Sequence, residues 1–331
     1  MLLGLLVLAA GLQLTGYDAA TALAALWQGA AGSWYAFTSA TLVRAVPLII
    51  IGLGIALAFR SGALNIGAEG QFYAGAIAAT WVGLHVAGRP AGVATTSVLL
   101  AATLAGMAWV LVPVWLKLRF GVLEVISTLL LNFVAEALVS LMVQGPLQEA
   151  QHIYPQSDLI AEAARLPLLP GTRLHAGLLL ALVGAVALWY VFARTLWGFR
   201  LRAVGAGPRA AEISGRIDAR RMGAVALLAS GALAGLAGGV EVSGVSYALF
   251  QNLSPGYGFT AIAVALLARL HPLGVVATGI LFGALEAGAG AMQRDAAVPS
   301  VAVYVVEAVV IVVVLLADVS ARRSTAARVT A

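Results

Sequence analysis

Residues 38–59 read TSATLVRAVPLIIIGLGIALAF and contain one charged residue, Arg44. A helix of this length rises about 33 Å, enough to cross the roughly 30 Å hydrocarbon core of a bilayer. The sequence therefore predicts an all-α integral membrane protein with about ten transmembrane helices. The short segment 256–268 follows the Gly/Pro-broken stretch 250–258, and the pair is typical of a discontinuous or re-entrant helix. The other predicted spans are 1–16, 66–86, 92–116, 122–143, 174–193, 222–248, 272–292 and 300–317.

The composition of the whole chain agrees with a membrane location. Among its 331 residues, 62% are hydrophobic and 10% are charged, and the mean hydropathy is +0.99. A soluble domain is about half apolar and a quarter charged. Because so few polar groups could not cover the surface of this chain in water, we predict a single transmembrane domain over residues 1–331.

The residue types exclude several classes of chemistry. There is no cysteine, and the single lysine, Lys117, follows a leucine, so a Gly-Lys-Ser/Thr phosphate loop is absent. No metalloprotease or serine-hydrolase motif is present, and the histidines lack a metal-ligand spacing. We therefore predict that the chain is not an enzyme and holds no metal or cofactor. The four histidines are His85, His152, His175 and His271.

The distribution of Lys and Arg predicts the orientation. With both termini in the cytoplasm, 14 of the 19 basic residues fall on the cytoplasmic side, as the positive-inside rule requires. This places an outer loop at 144–173 and an arginine-rich cytoplasmic loop at 194–221. This orientation in the membrane explains the net charge of +5. We therefore predict membrane lipids, and no nucleic acid, as contacts of the chain.

A polar stripe runs along the fifth predicted span. Residues four apart lie on one helix face, and an intramembrane carboxylate such as Glu136 is costly unless it faces protein or water. The stripe is therefore either the lining of a solute path or a buried hydrogen-bond seam between helices. Its members are Glu124, Thr128, Asn132, Glu136, Ser140 and Gln144.

The third predicted span repeats this pattern on a smaller scale. Asn65, Glu69 and Tyr73 are four residues apart and are interleaved with glycines. Either the helix is broken beside the path, or it simply starts here, with Glu69 favoured by the dipole of the helix N-terminus. We predict structural roles for three other charged residues within predicted spans: Arg44, Glu286 and Glu307.

The inner-loop stretch 198–215 reads GFRLRAVGAGPRAAEISG. Pro208 suits the first turn of a helix and Gly215 suits a helix end, while Gly205 and Gly207 would separate two short helices. The pattern predicts a helix hairpin on the cytoplasmic surface that could dock into a partner. A merely basic loop is the alternative.

Three stretches carry a family pattern: FRSGALNIGAEGQ at 59–71, the inner-loop stretch 198–215, and GFTAIAVALL at 258–267, which is followed by PLG at 272–274, LFG at 281–283 and MQ at 292–293. Their order and spacing resemble permeases of the branched-chain amino acid, ribose and simple-sugar family of bacterial ABC importers, in particular the nucleoside branch. The resemblance covers roughly residues 40–293.

The resemblance implies a ten-helix permease of the vitamin B12 importer type in the bacterial inner membrane. It implies three partners: a separate ATPase that binds ATP and Mg²⁺, a second homologous permease in a heterodimer, and an extracytoplasmic solute-binding lipoprotein. The loop 194–221 would couple the permease to the ATPase. The residues that would carry coupling are Arg200, Arg202, Ala203, Val204, Gly205, Pro208, Ala210, Ala211, Glu212 and Gly215.

We therefore expect an importer permease for a nucleoside or a similar polar solute. Ribose, another sugar or a branched-chain amino acid is the alternative cargo for the same machine. An ion-coupled secondary transporter with a proton site at Glu136 or Glu69 is a rival of another class, and a membrane enzyme has no motif to support it. The expected solute lining is Asn65, Glu69, Gln71, Thr128, Asn132, Glu136 and Phe259.

Overall fold

The computed structural model describes residues 2–14, 16–215 and 217–299, together with the isolated positions 305, 308 and 312. Over these residues the chain is helical, without a strand. Two π-helical turns, Phe37–Thr41 and Val242–Ser246, and one 3₁₀ turn, Glu162–Ala164, complete the regular structure. The α-helices are α1 Leu2–Leu14, α2 Ala19–Ala31, α3 Trp34–Ala36, α4 Leu42–Arg60, α5 Ala68–His85, α6 Ala91–Phe120, α7 Glu124–Val143, α8 Gly177–Arg194, α9 Leu196–Ala206, α10 Pro208–Gly215, α11 Ala219–Glu241, α12 Tyr257–Leu267 and α13 Pro272–Asp295.

Six helical segments in the described part of the chain are long and apolar enough to cross a membrane. Each matches a predicted span to within a few residues, which confirms an all-helical protein with multiple candidate spans. In two of them a π-helical turn is continuous with an α-helix. The six are Trp34–Arg60, Ala91–Phe120, Glu124–Val143, Gly177–Arg194, Ala219–Ser246 and Pro272–Asp295.

The other four predicted spans are not confirmed. Helix α1 has 13 residues and α12 has 11, both shorter than the roughly 20 residues that a crossing needs. Helix α5 has 18 residues but includes Glu69, Gln71 and His85, and it is not among the six. The predicted span 300–317 lies outside the described residues, apart from the three isolated positions.

Helix α2 lies between the predicted spans 1–16 and 38–59, where no helix was predicted. Asp18 caps its N-terminus: Oδ1 accepts from the Ala20 amide at 2.9 Å, and Oδ2 accepts from the Thr21 hydroxyl at 2.5 Å. The signal was present in the sequence, since an aspartate before an alanine-rich run is typical of a helix start.

The described residues divide into two compact units, and the smaller one is formed by residues up to 45 and from 280 onwards. Helices α2 and α13 approach closely in it, because a Cβ on Gly288 would lie 2.6 Å from the Leu26 carbonyl oxygen. The Thr41 hydroxyl donates to the Ala30 carbonyl at 2.7 Å. An apolar cluster fills the unit: Leu8, Leu12, Ala22, Ala25, Leu285, Met292 and Val298.

The larger unit, residues 46–279, is built around α11. This helix packs against α5 and α6 along a glycine ridge. A Cβ on Gly235 would lie 2.7 Å from the Gly106 Cα, and one on Gly231 would lie 2.7 Å from the Gly106 carbonyl oxygen. Gly231, Gly235 and Gly239 are four residues apart and form a small-xxx-small ridge that serves packing inside the chain. Such a ridge lets helix backbones touch where lipid offers no hydrophobic driving force.

The outer loop is ordered by backbone pairing with the chain that follows α11. The amides of Ser157, Ile160 and Leu166 donate to the carbonyls of Leu249, Tyr247 and Ser243, each at 2.8 Å. At the tip of the loop, Glu149 Oε1 accepts from the Tyr154 amide at 2.8 Å, and its Oε2 accepts from the Gln156 amide group at 2.7 Å.

Substituting Gly235 by alanine is expected to lower the free energy of unfolding by about 1–3 kcal/mol, because the new methyl group would overlap the backbone of α6. Thermal unfolding of the purified protein in detergent measures the effect. Gly184→Ala is the matched control, since a Cβ there meets its nearest atom, Leu53 Cδ1, at an ordinary 3.5 Å. Equal stability of the two variants would contradict the ridge.

The outer loop is expected to loosen in acid. Hydrogen bonds from the Gln156 side chain and the Tyr154 amide hold the pKa of Glu149 below its usual 4.5. Because the folded pKa is depressed, this stabilisation is fully present above pH 4.5 and is lost as pH falls through the lowered pKa. Amide exchange at Tyr154, compared between pH 6 and pH 3 and corrected for intrinsic rates, should quicken in the native chain. Glu149→Gln should remove that dependence.

Candidate functional site

The segment 61–67 connects α4 to α5 without helical structure. The Asn65 side chain hydrogen-bonds to this segment and to the helices beside it. The Asn65 side chain is fully buried. Its Nδ2 donates to Gln71 Oε1 and to Ser230 Oγ, both at 2.8 Å. Its Oδ1 accepts from Gln71 Nε2 at 2.9 Å and from the Gly67 amide at 3.0 Å. Asn65 and Gln71 thus form a reciprocal amide pair between this segment and α5.

Helix α7 closes over the same segment. Asn132 Nδ2 donates to the Ile66 carbonyl at 2.9 Å, and its Oδ1 accepts from the Gly70 amide at 2.8 Å. One turn earlier, the buried Thr128 hydroxyl donates to the Glu124 carbonyl of its own helix at 2.6 Å. Both side chains are occupied within the chain, so the inner half of the polar stripe is a hydrogen-bonded seam.

The seam ends in a largely buried ion pair. Lys117, near the C-terminus of α6, lies 2.5 Å from Glu124 Oε1 at the start of α7, and the Glu124 side chain is 10% exposed. The same oxygen accepts from the Leu64 amide at 3.4 Å. Because a buried carboxylate is costly without partners, this contact fixes the joint between α6 and α7.

Glu69 lies in the first turn of α5, which agrees with the interpretation of this region as a helix start. Its Oε2 accepts from the Gly258 amide at 2.6 Å, and the Ser254 hydroxyl also bonds to its carboxylate. Ser254 Oγ accepts from the Tyr257 amide at 2.9 Å and so caps α12. The Tyr73 hydroxyl lies 3.5 Å from the Ser254 carbonyl oxygen. One carboxylate therefore fixes the start of α12 to the start of α5.

The outer half of the stripe is open. Glu136 is exposed, and it lines a pocket of about 70 Å³. Sequence reasoning missed Gln251 and Asn252, whose signal was their position in the broken stretch 250–258. Asn252 is placed there by a left-handed backbone conformation, with φ of 58°. The described residues that line it are Tyr73, Glu136, Val139, Ser140, Gln251 and Asn252.

The structure thus divides the predicted solute lining into three groups. Asn65, Glu69, Gln71, Thr128 and Asn132 are buried and hydrogen-bonded. Glu136 joins the open pocket. Phe259, which is 45% exposed, is not among the residues that line this pocket. Their part in transport stays a prediction.

The charges for which structural roles were predicted are placed as follows. Arg44 lies 3.4 Å from the Ala40 carbonyl, one turn earlier. Glu286 lies within α13. Glu307 lies outside the described residues.

The inner loop forms the predicted hairpin of two short helices, α9 and α10. The break falls at Gly207, whereas Gly205 lies within α9. Gly205 is required by a close approach, because a Cβ there would overlap the Arg60 carbonyl oxygen at the end of α4. A small core of Val204, Ala211 and Ile217 holds the two helices together.

The predicted coupling residues differ in accessibility. Val204 and Ala211 are buried, and Ala203 is half-buried. Arg202 Nη1 donates back to the Phe192 carbonyl of α8, so this side chain is engaged within the chain. Ile213, which the sequence did not single out, is 84% exposed on α10. Gly215 is the last residue of α10. The exposed members are Arg200, Arg202, Gly205, Pro208, Ala210 and Glu212.

Comparisons with known proteins agree with this architecture. The family model described as "Branched-chain amino acid transport system / permease component" matches residues 37–315. The guanosine ABC transporter permease protein NupP of Bacillus subtilis is 38% identical, over 95% of this chain and 90% of its own. The glucose ABC transporter permease protein TsgB13 of Haloferax volcanii is 38% identical, over 84% of this chain and 75% of its own.

A second guanosine permease protein of Bacillus subtilis, NupQ, is 29% identical, over 74% of this chain and 78% of its own. No solved structure matches the chain. Together with the six apolar helices, these relatives identify a multi-pass membrane protein that is a transport component.

Proposed function

Since the chain belongs to the branched-chain amino acid transport system permease family, we propose that it is the membrane-spanning subunit of an ATP-driven importer for nucleosides. The observation that carries the cargo proposal is the pocket beside Glu136, whose volume of about 70 Å³ would contact one end of a nucleoside without enclosing it. Guanosine permeases among the relatives support it independently.

The pocket offers hydrogen-bond groups suited to a neutral, hydroxyl-rich solute. The Glu136 carboxylate accepts hydrogen bonds, the amides of Gln251 and Asn252 both donate and accept, and the Tyr73 hydroxyl is close by. Among the described residues that line it there is no cation. The ammonium group of an amino acid could pair with Glu136, but its carboxylate would find no cation among these residues, which is unfavourable. This chemistry favours a nucleoside or a sugar over a branched-chain amino acid.

A sugar is the second candidate cargo, because a glucose permease is equally similar in sequence. The guanosine permeases among the relatives favour the nucleoside over the sugar. An ion-coupled secondary transporter is disfavoured by the family match.

The buried part of the predicted lining acts indirectly in this proposal. Asn65, Gln71 and Asn132 hold α5 and α7 together, while Glu69 holds the start of α12. These contacts fix Tyr73 and Glu136 relative to the stretch that carries Gln251 and Asn252. The solute would pass over the pocket at the interface with the second permease.

The partners follow from what the chain lacks and from its relatives. A separate ATPase would bind ATP and Mg²⁺, since the sequence has no phosphate-binding loop. A second, homologous permease is supported by the two guanosine permeases of one organism that both match this chain. A solute-binding lipoprotein would deliver cargo to the outer face. The ten-helix fold of the vitamin B12 importer type, cytoplasmic termini and the bacterial inner membrane belong to the same proposal.

The hairpin of α9 and α10 would couple the permease to the ATPase. Its own apolar core and its contact with the end of α4 hold the hairpin in place. The exposed Ile213 would supply an apolar side chain for a groove in the ATPase. Bulky substitutions at Gly205 are a poor test of coupling, because they would displace the hairpin from Arg60.

Glu136→Gln is expected to raise the KM for nucleoside uptake by about tenfold, the value of a hydrogen bond to a charged group. Asn252→Gly keeps the left-handed backbone conformation and removes a neutral hydrogen bond, so it should raise KM by about two- to tenfold. The assay is ATP-dependent uptake of labelled nucleoside into vesicles that carry the whole transporter, with unlabelled ribose and leucine as competitors. Glu162→Gln removes an exposed outer-loop carboxylate and should leave KM unchanged. Unaltered KM in both pocket variants would remove the pocket from the path, and effective competition by leucine would reverse the cargo assignment.

Ile213→Asp is expected to weaken association with the ATPase subunit by at least about tenfold, since it removes one buried aliphatic side chain from the interface. Co-purification of the two subunits at graded concentrations measures this, and solute-stimulated ATP turnover should fall with it. Leu159→Asp alters an equally apolar, 63% exposed position in the outer loop and should leave association intact. If Ile213→Asp assembles and turns over normally, α10 is not the docking element.

A further inference from the structure

A second pocket, distinct from the solute site, lies where α9 and α11 begin. Its volume is about 240 Å³. Trp197 and Arg200 are one turn apart on α9, and Arg221 and Val225 are one turn apart on α11, so two helices each present one guanidinium to the same space. Among the described residues, its lining is Trp197, Arg200, Ile217, Asp218, Arg221, Met222 and Val225.

The pocket lies at the depth of lipid headgroups. Two of the candidate membrane spans have an end here, because Gly177–Arg194 finishes three residues before Trp197 and Ala219–Ser246 begins beside Asp218. The basic residues place this end on the cytoplasmic side. Tryptophan is enriched at this level of a bilayer, where its ring is apolar and its N–H is polar.

Both arginines are accessible to an anion. Asp218 caps α11 by accepting from the Arg221 amide at 2.9 Å, and its other oxygen lies 3.8 Å from Arg221 Nε. The Arg221 side chain is nevertheless 88% exposed, and Arg200 is exposed without a carboxylate partner in the described part of the chain. With two guanidinium groups against one carboxylate, the pocket carries a net positive charge.

An apolar surface continues from the pocket. Val225, which is 46% exposed, lies one turn into the spanning helix α11, and Leu196, which is 75% exposed, precedes Trp197. A ligand that combines a phosphate with hydrocarbon would match both parts. Guanidinium groups bind phosphate oxygens with paired, charge-assisted hydrogen bonds.

We propose that this pocket binds the phosphate of an anionic phospholipid from the cytoplasmic leaflet, with the acyl chains lying along α11. Free phosphate would use the arginines but leave the exposed apolar side chains unmatched. A protein partner is better accommodated at α10, where the apolar side chain of Ile213 is 84% exposed. The bound lipid would join the base of the hairpin to α11.

The test is native mass spectrometry of the full chain released from bilayers with equal amounts of phosphatidylglycerol and phosphatidylcholine. Each arginine near an anionic lipid contributes about fivefold in affinity. The double variant Arg200→Gln/Arg221→Gln is therefore expected to retain at least about tenfold less phosphatidylglycerol than the native chain. Arg209→Gln/Arg220→Gln removes the same charge from the same loop at exposed positions outside the pocket, and it should retain lipid normally.

Three outcomes would overturn the proposal. Equal losses in both double variants would mean that the basic loop attracts lipid diffusely. Displacement of phosphatidylglycerol by millimolar inorganic phosphate would make free phosphate the ligand. Normal lipid retention in the pocket variant, combined with lost co-purification of the ATPase subunit, would make the pocket a protein contact.

Discussion

A bilayer offers no water to backbone groups that leave a helix, and the fold of this chain depends on how it meets that constraint. Two non-helical stretches, 61–67 and 247–256, lie between apolar helices. In the first, side-chain amides of Asn65 and Asn132 replace the missing helical partners. In the second, the outer loop supplies backbone partners and Ser254 caps the helix that follows. These polar side chains therefore hydrogen-bond to backbone groups of the non-helical stretches.

The sequence was sufficient for features that depend on local physics. Apolar length located six candidate spans, and the Gly-Pro pattern located both helices of the hairpin. Four-residue periodicity also identified the polar face of α7 correctly. These predictions succeed because each depends on residues that are close together in the chain.

The rest depends on contacts between distant segments. Periodicity places Thr128, Asn132 and Glu136 on one helix face, but it cannot tell that α5 covers the first two and leaves the third open. The pocket joins α5, α7 and the stretch after α11, so Gln251 and Asn252 acquire their significance only in three dimensions. The predicted spans at α5 and α12 stay unconfirmed, because one helix contains polar residues and the other is only 11 residues long.

The glycine ridge has a consequence for how such a permease can diversify. Where α5, α6 and α11 touch backbone to backbone, almost any substitution adds atoms that have no room. Substitutions at these glycines are therefore poorly tolerated. Changes in solute preference must then arise at positions where a new side chain does not disturb helix packing. The exposed face of α7 provides such positions. A lineage could therefore exchange solutes while the helices beneath remained nearly invariant.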